Sequence, residues 1–216
     1  MMGKADAVIF DFDGVIADTR EDVWDSVEYA ANAVGGAVDK EFMEDTSHVA
    51  LPEEELFRHI NPLPPGHLFD AFCSHIKTHY RTMNQFHKTR MYPGLEEIFR
   101  YLAGQGTIWV VVSSKPEPAL RRLMKVKGWE GLMPVCYSLD SVAGADTKQA
   151  VYGYLMEHEL KNRRPVCIGI HGAISRLPGC AGFRPLRFYM EMGTGGCCFG
   201  KSRIIRLLMD GSCLES

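Results

Sequence analysis

Two carboxylates, Asp11 and Asp13, stand in the string VIFDFDGVIADT, directly after the apolar run Ala7 to Phe10. At i and i+2 on an extended chain they point to the same side. Gly14 follows and lets the backbone turn sharply beside them. Carboxylates that close repel, and a cation between them, most simply Mg²⁺, relieves the repulsion. A pair of solvated turn acids satisfies the same spacing. An EF-hand loop does not, because its glycine belongs at the sixth position and here it is the fourth.

Three further stretches carry possible chemistry. WVVVSSKPEP ends an apolar run in Ser113 and Ser114. A hydroxyl and backbone N–H groups at such a turn can bind phosphoryl oxygens, although serines at a strand end are commonplace. VCIGIHGAIS, Val166 to Ser175, reads as a buried strand breaking into a loop, which is where open α/β proteins bind ligands. Yet that loop holds Ile170, His171, Gly172, Ala173 and Ile174, with no acid among them. Finally GGCCFGKS (195–202) matches the phosphate-loop pattern G-x-x-x-x-G-K-[ST]. Too little chain follows it for the acidic strand such a site needs, so a glycine-rich loop is the plainer reading. His75 and His79, one turn apart on an expected helix, lack a nearby acid and read as a helix-surface pair.

The elements that must position these groups follow from periodicity. Ala7 to Phe10 is a short, fully apolar strand of the kind buried on both faces. A helix follows, with Val23, Trp24, Val27, Ala30 and Ala31 on one face, Asp18 or Thr19 as its cap, and Gly35 and Gly36 at its end. LPEEELFRHI starts another helix with Pro52 near its first turn. NPLPPG (61–66) is a connector, and a long helix is expected from about His67 to Lys88, striped by Phe69, Phe72, Ile76, Tyr80 and Met83. After MYPG the rhythm becomes strand–helix alternation: LEEIFRYLAGQG, TIWVVV, ALRRLMKVKGW, PVCYS, KQAVYGYLMEH, RPVCIGI, and PLRFYM. Strands alternating with helices imply a parallel sheet. The expected architecture is α/β: a Rossmann-like parallel sheet core from residues 1–17 and 91–216, interrupted by an all-helical cap over 18–90.

The 216 residues suffice for one domain with a modest insertion, and 46% hydrophobic with 24% charged is ordinary for a globular protein. A net charge of −3 gives no bulk attraction to nucleic acid or to anionic membrane. No apolar run approaches membrane-spanning length or a signal-peptide core. Seven cysteines without a C-x-x-C pair read as reduced thiols, and the expected location is cytoplasmic. The composition says nothing of oligomeric state.

The string DFDGVIADT resembles the first motif of the haloacid dehalogenase-like superfamily, in the branch with a helical cap that includes phosphoglycolate phosphatases. The resemblance runs from about residue 5 to 182. It implies that Asp11 attacks phosphorus to form a phospho-aspartate, and that Asp13 protonates the leaving oxygen and then activates water. It implies that Ser113, after the family's proline-glycine helix MYPGLEEIFRYLAGQG, binds the phosphoryl group, with Gly14 and Ser114 beside it. It implies that Lys148, in GADTKQAVYGYL, offsets the charge of phosphate and nucleophile; Gln149 stands where proline is frequent, and Lys115 is the alternative lysine.

Asp11 and a carbonyl at Asp13 would hold Mg²⁺ with acids of a fourth motif, G-D-x-x-x-D. Gly169 and the later pair Ala181 and Gly182 fix that register, and it puts Ile170 and Ile174 where the acids belong. Isoleucine binds no cation, so Mg²⁺ affinity should fall at least ~10–100-fold. His171 is adjacent, but imidazole suits softer metals. From residue 170 acids are few, four of the seven cysteines gather, and the tail after Gly182 matches the family poorly. Natural divergence, splicing or a shifted reading frame would each leave that pattern. The expected function is hydrolysis of a small phosphomonoester, phosphoglycolate at the family level; the alternative is a non-catalytic phosphate-binding or regulatory relative.

Overall fold

The computed structural model describes residues 7–133, 135–163, 165–169 and 185–187. In chain order they form β1 (Ala7–Asp11), β2 (Ala17–Asp18), α1 (Arg20–Ala33), β3 (Ala37–Val38), α2 (Lys40–Glu44), α3 (Glu53–Arg58), β4 (Ile60–Asn61), α4 (Phe69–Thr78) and β5 (Arg90–Met91). There follow α5 (Leu95–Gly104), β6 (Ile108–Ser113), α6 (Glu117–Lys127), β7 (Cys136–Ser138), α7 (Lys148–His158), β8 (Pro165–Gly169) and β9 (Pro185–Arg187). The chain divides into two compact units: 1–17, 91–120 and 128–216 in one, 18–90 and 121–127 in the other.

The first unit is a five-stranded sheet in the order β7-β6-β1-β8-β9. All its pairings are parallel. β1 lies at the centre because its five residues are all buried, which only a strand covered on both faces permits. Its side chains alternate between two cores. Ala7 and Ile9 join Val110, Val112 and Cys167 against Val151, Tyr152 and Leu155 of α7. Phe10 points the other way and meets Phe99 of α5 edge to face, ring centroids 5.4 Å apart. The Rossmann-like α/β fold expected from the strand–helix alternation is present.

The second unit is built on α1 and α4. Trp24, Val27, Ala30 and Ala31 of α1 pack with Leu56, Phe57, Ile60, Phe72 and Cys73. Thr19 occupies the cap position of α1 but makes no side-chain cap bond. The Asp18 carboxylate takes the Arg20 N–H instead, at 3.2 Å. Gly35, with φ +91°, ends the helix as expected. The helical block also carries a small ladder, β3 against β4. Gly36 lies beside it, and a Cβ there would collide with Ile60 Cγ2.

The helix expected from His67 to Lys88 is shorter. α4 ends at Thr78 and a wider, π-type turn spans His79–Met83. The cause is a set of bonds to α1. Asn84 donates its side-chain amide to the Asp22 carbonyl at 2.7 Å and accepts from Phe86 N–H at 2.7 Å. Phe86 itself adopts φ 54°, which a helix forbids. Thr89 closes the segment by donating its hydroxyl to the buried Asp22 carboxylate at 2.6 Å.

Candidate active site

Asp11 is the last residue of β1, and the central position of that strand sets it at the carboxyl edge of the sheet. The chain then folds into a tight loop. The Phe12 carbonyl accepts from the N–H of Ile16 and of Ala17, at 2.9 and 3.1 Å. Gly14, at φ 70°, donates to the Ala17 carbonyl at 2.9 Å. The left-handed conformation at Gly14 is what lets the loop close so near both acids.

Oδ1 of Asp11 accepts two bonds, from Phe12 N–H at 2.8 Å and from the Lys148 ammonium at 2.6 Å. Lys148 is the first residue of α7, whose start is fixed by the Thr147 hydroxyl accepting from Ala150 N–H. Burial raises the Asp11 carboxyl above its usual range, Lys148 pulls it down, and the nearby Asp13 charge pushes it up again, with a net upward shift.

Asp13 has its own lysine. Lys115 Nζ lies 2.6 Å from Asp13 Oδ1. The Lys115 side chain is only 9% exposed, so its charge is held in the site and is no surface group. Its backbone N–H donates to Ser113 Oγ at 3.1 Å. Ser113 ends β6 and is fully buried, whereas Ser114 is exposed.

Of the residues singled out by sequence, Asp11, Asp13, Gly14, Ser113 and Lys148 thus meet at one edge of the sheet, and Ser114 sits at its rim. Lys115 entered as an alternative to Lys148; the structure uses both, one for each acid. The signal was present in SSKP, a lysine two residues past the strand-end serine.

Ile170, Ile174, His171, Ala181, Gly182 and the 195–202 loop lie outside the described residues. His75 and His79 find aromatic partners: Tyr29 stacks on His79 at 4.5 Å and meets His75 edge-on at 6.2 Å.

A Mg²⁺ site was expected at Asp11 and Asp13. Mg²⁺ is held by oxygen ligands in near-octahedral geometry, usually with one or two carboxylates. Both candidate carboxylates are engaged here by ammonium groups at 2.6 Å, which repel a cation. Among the described residues no group of three or more His, Cys, Asp or Glu side chains could hold a metal. The segment 170–184 contains no Asp or Glu at all. These residues do not fit a dedicated Mg²⁺ site.

No helix among the described residues is long and apolar enough to cross a membrane. Among known proteins, a 5′-nucleotidase of Pseudomonas aeruginosa is 22% identical over 153 residues, covering 70% of this chain and 67% of that protein. Three solved structures share the fold. One is a predicted phosphoglycolate phosphatase from Haemophilus somnus 129pt (TM-score 0.62, 20% identity, 78% of each chain). Another is a haloacid dehalogenase-like family hydrolase from Streptococcus pneumoniae (TM-score 0.61, 16% identity, 79% of this chain and 78% of that one). The third, from Deinococcus radiodurans R1, is a hydrolase with bound phosphate and sodium (TM-score 0.52, 19% identity, 79% and 76%). The haloacid dehalogenase-like hydrolase pattern matches residues 8–169, from the first strand through β8. With three quarters of its length so matched, and with Asp11 at the carboxyl end of the central strand, the chain belongs to the haloacid dehalogenase-like hydrolase family.

Proposed function

We propose that the chain hydrolyses small phosphomonoesters, with Asp11 as nucleophile and Asp13 as general acid and base. The observation that carries this is the pairing of two strand-end acids with two lysines beside a buried serine. Among the described residues both bonds to Asp11 fall on Oδ1, which leaves Oδ2 as the attacking oxygen. Oδ2 forms a bond to phosphorus while the ester P–O bond breaks, and Asp13, which takes up a proton from solvent as Lys115 turns to the phosphoryl oxygens, gives that proton to the departing alkoxide. Water then attacks the phospho-aspartate, Asp13 takes the proton from that water, and orthophosphate leaves with Asp11 restored. Lys148 and Lys115 offset the charge that gathers on the phosphoryl oxygens, and Ser113 binds it from the β6 edge.

The relatives support a small phosphorylated substrate: a nucleotidase, a predicted phosphoglycolate phosphatase and a phosphate-bound hydrolase share this fold or sequence pattern. Cys73, Cys136 and Cys167 are thiols and not disulfides, which supports a reducing, cytoplasmic setting.

The test is release of orthophosphate from p-nitrophenyl phosphate and phosphoglycolate by the purified chain beside Asp11→Asn. Turnover by the wild type and none by the variant supports the reading. Equal rates in both would end it. The second reading, a non-catalytic phosphate binder, is favoured by isoleucine at 170 and 174. Phosphate binding without any turnover would establish it.

A further inference from the structure

We infer that Lys115 and Lys148 together take the place of a divalent cation, so that the Asp11–Asp13 site binds inorganic phosphate without a metal. The inference rests on the reading of these acids as a phosphate site, and it adds what balances their charge.

Two adjacent carboxylates on their own would repel an incoming phosphate. Here each is matched by an ammonium at 2.6 Å, and the four side chains carry no net formal charge. Lys115 makes the difference. With Lys148 alone, one uncompensated carboxylate would still face the ligand. The two lysines also come from separate places: Lys115 from the turn after β6, Lys148 from the start of α7. They therefore approach the acids independently of each other.

The Lys115 ammonium is built in. Its side chain is 9% exposed, and a buried lysine charge persists only when paired. Its backbone is fixed by the bond to Ser113 Oγ and by Pro116, which restrains the residue before it. A divalent cation would have to enter between two acids already held by these ammoniums.

The experiment is calorimetric titration of inorganic phosphate into the full chain, in EDTA and again in Mg²⁺. Saturable binding in EDTA is expected, with Mg²⁺ changing the affinity by less than about threefold. Lys115→Met should weaken binding in EDTA by about tenfold or more, the scale of one lost charge-assisted hydrogen bond. Binding that requires Mg²⁺ overturns the inference, as does a folded Lys115→Met that binds like wild type. Should Lys115→Met fail to fold, the wild-type comparison in EDTA and in Mg²⁺ still decides. Hydrolysis of p-nitrophenyl phosphate is followed in parallel. Metal-free phosphate binding without turnover would sink the hydrolase reading and leave this inference standing. Turnover with binding seen only in Mg²⁺ would do the reverse.

Discussion

Lys148 sets its ammonium 2.6 Å from Oδ1 of Asp11 although 137 residues separate the two. Asp11 is nearly buried, so this partner is what allows a charged carboxylate to stand there at all. Removing the lysine exposes the cost. Lys148→Met should lower stability by about 1–3 kcal/mol, below the ~3–5 kcal/mol of a fully buried pair because Lys148 is 25% exposed. Urea unfolding measures it. In an Asp11→Asn background the same change should cost far less, since the charge it served is gone. Equal costs in both backgrounds would refute the coupling.

Gly36 is fixed by space. A Cβ at that position would run into Ile60 Cγ2 and lie 3.0 Å from the Pro62 carbonyl oxygen. Ile60 is buried and β-branched, so it yields little. Gly36→Ala should destabilise by ~1–3 kcal/mol, the range of small-to-large changes in a packed site. A thermal melt equal to wild type would show that the β3–β4 ladder relaxes freely.

His79 makes stability depend on pH. Burial holds its imidazole below the usual 6.5, with Asp25 opposing weakly. The folded state therefore favours the neutral ring, and the unfolded state takes up the proton first. The contribution of His79 is fully present above pH 6.5 and is lost as pH falls from there through the lowered folded value. Its Nδ1 and the Ser26 hydroxyl, 2.9 Å apart, hold the ring in place. His79→Asn should flatten the loss of stability between pH 7.5 and 5 relative to wild type, followed by denaturant midpoints. An unchanged slope would exclude His79 as the sensor.

In sequence Ile170 directly follows Gly169, the last residue of β8, the strand paired with β1. Ile170→Asp should create a response to Mg²⁺ that the wild type lacks. The expected readout is a rise in melting temperature on adding Mg²⁺ to the variant alone. A wild-type rise of the same size would show that the chain already holds the cation.

Cys73 should be chemically quiet. Burial, with Glu53 beside it, pushes its thiol up to about 12, so almost no thiolate exists at neutral pH. Iodoacetamide at pH 8 should leave Cys73 unmodified in the folded chain and label it in urea, read by peptide mass. Rapid native labelling would mean that α4 opens readily.

What the sequence revealed depended on distance along the chain. Asp11 and Asp13 were legible because apolar strand, acids and glycine are consecutive, and each constrains the next. The α4 terminus was not. Tyr80 and Met83 continue the apolar period, but Asn84 is bonded to Asp22, 62 residues away, and that bond outweighs the local pattern. β3 and β4 have two residues each, too few to show any alternation. The Asp13–Lys115 pair spans 102 residues, and only the β1–β6 pairing, Asp11 opposite Val112, brings the two loops together.

That same pairing bears on how the protein is made. β1 is synthesised before both of its neighbours, Ile108–Val112 on one side and Pro165–Ile168 on the other. On the ribosome the strand bearing Asp11 must wait, unpaired and apolar, while about 100 residues emerge before its first partner arrives. Residues 18–90 can condense during that interval, because nearly all of their unit is contained within them. Most of the helical insertion can thus condense before the sheet that carries Asp11 begins to close.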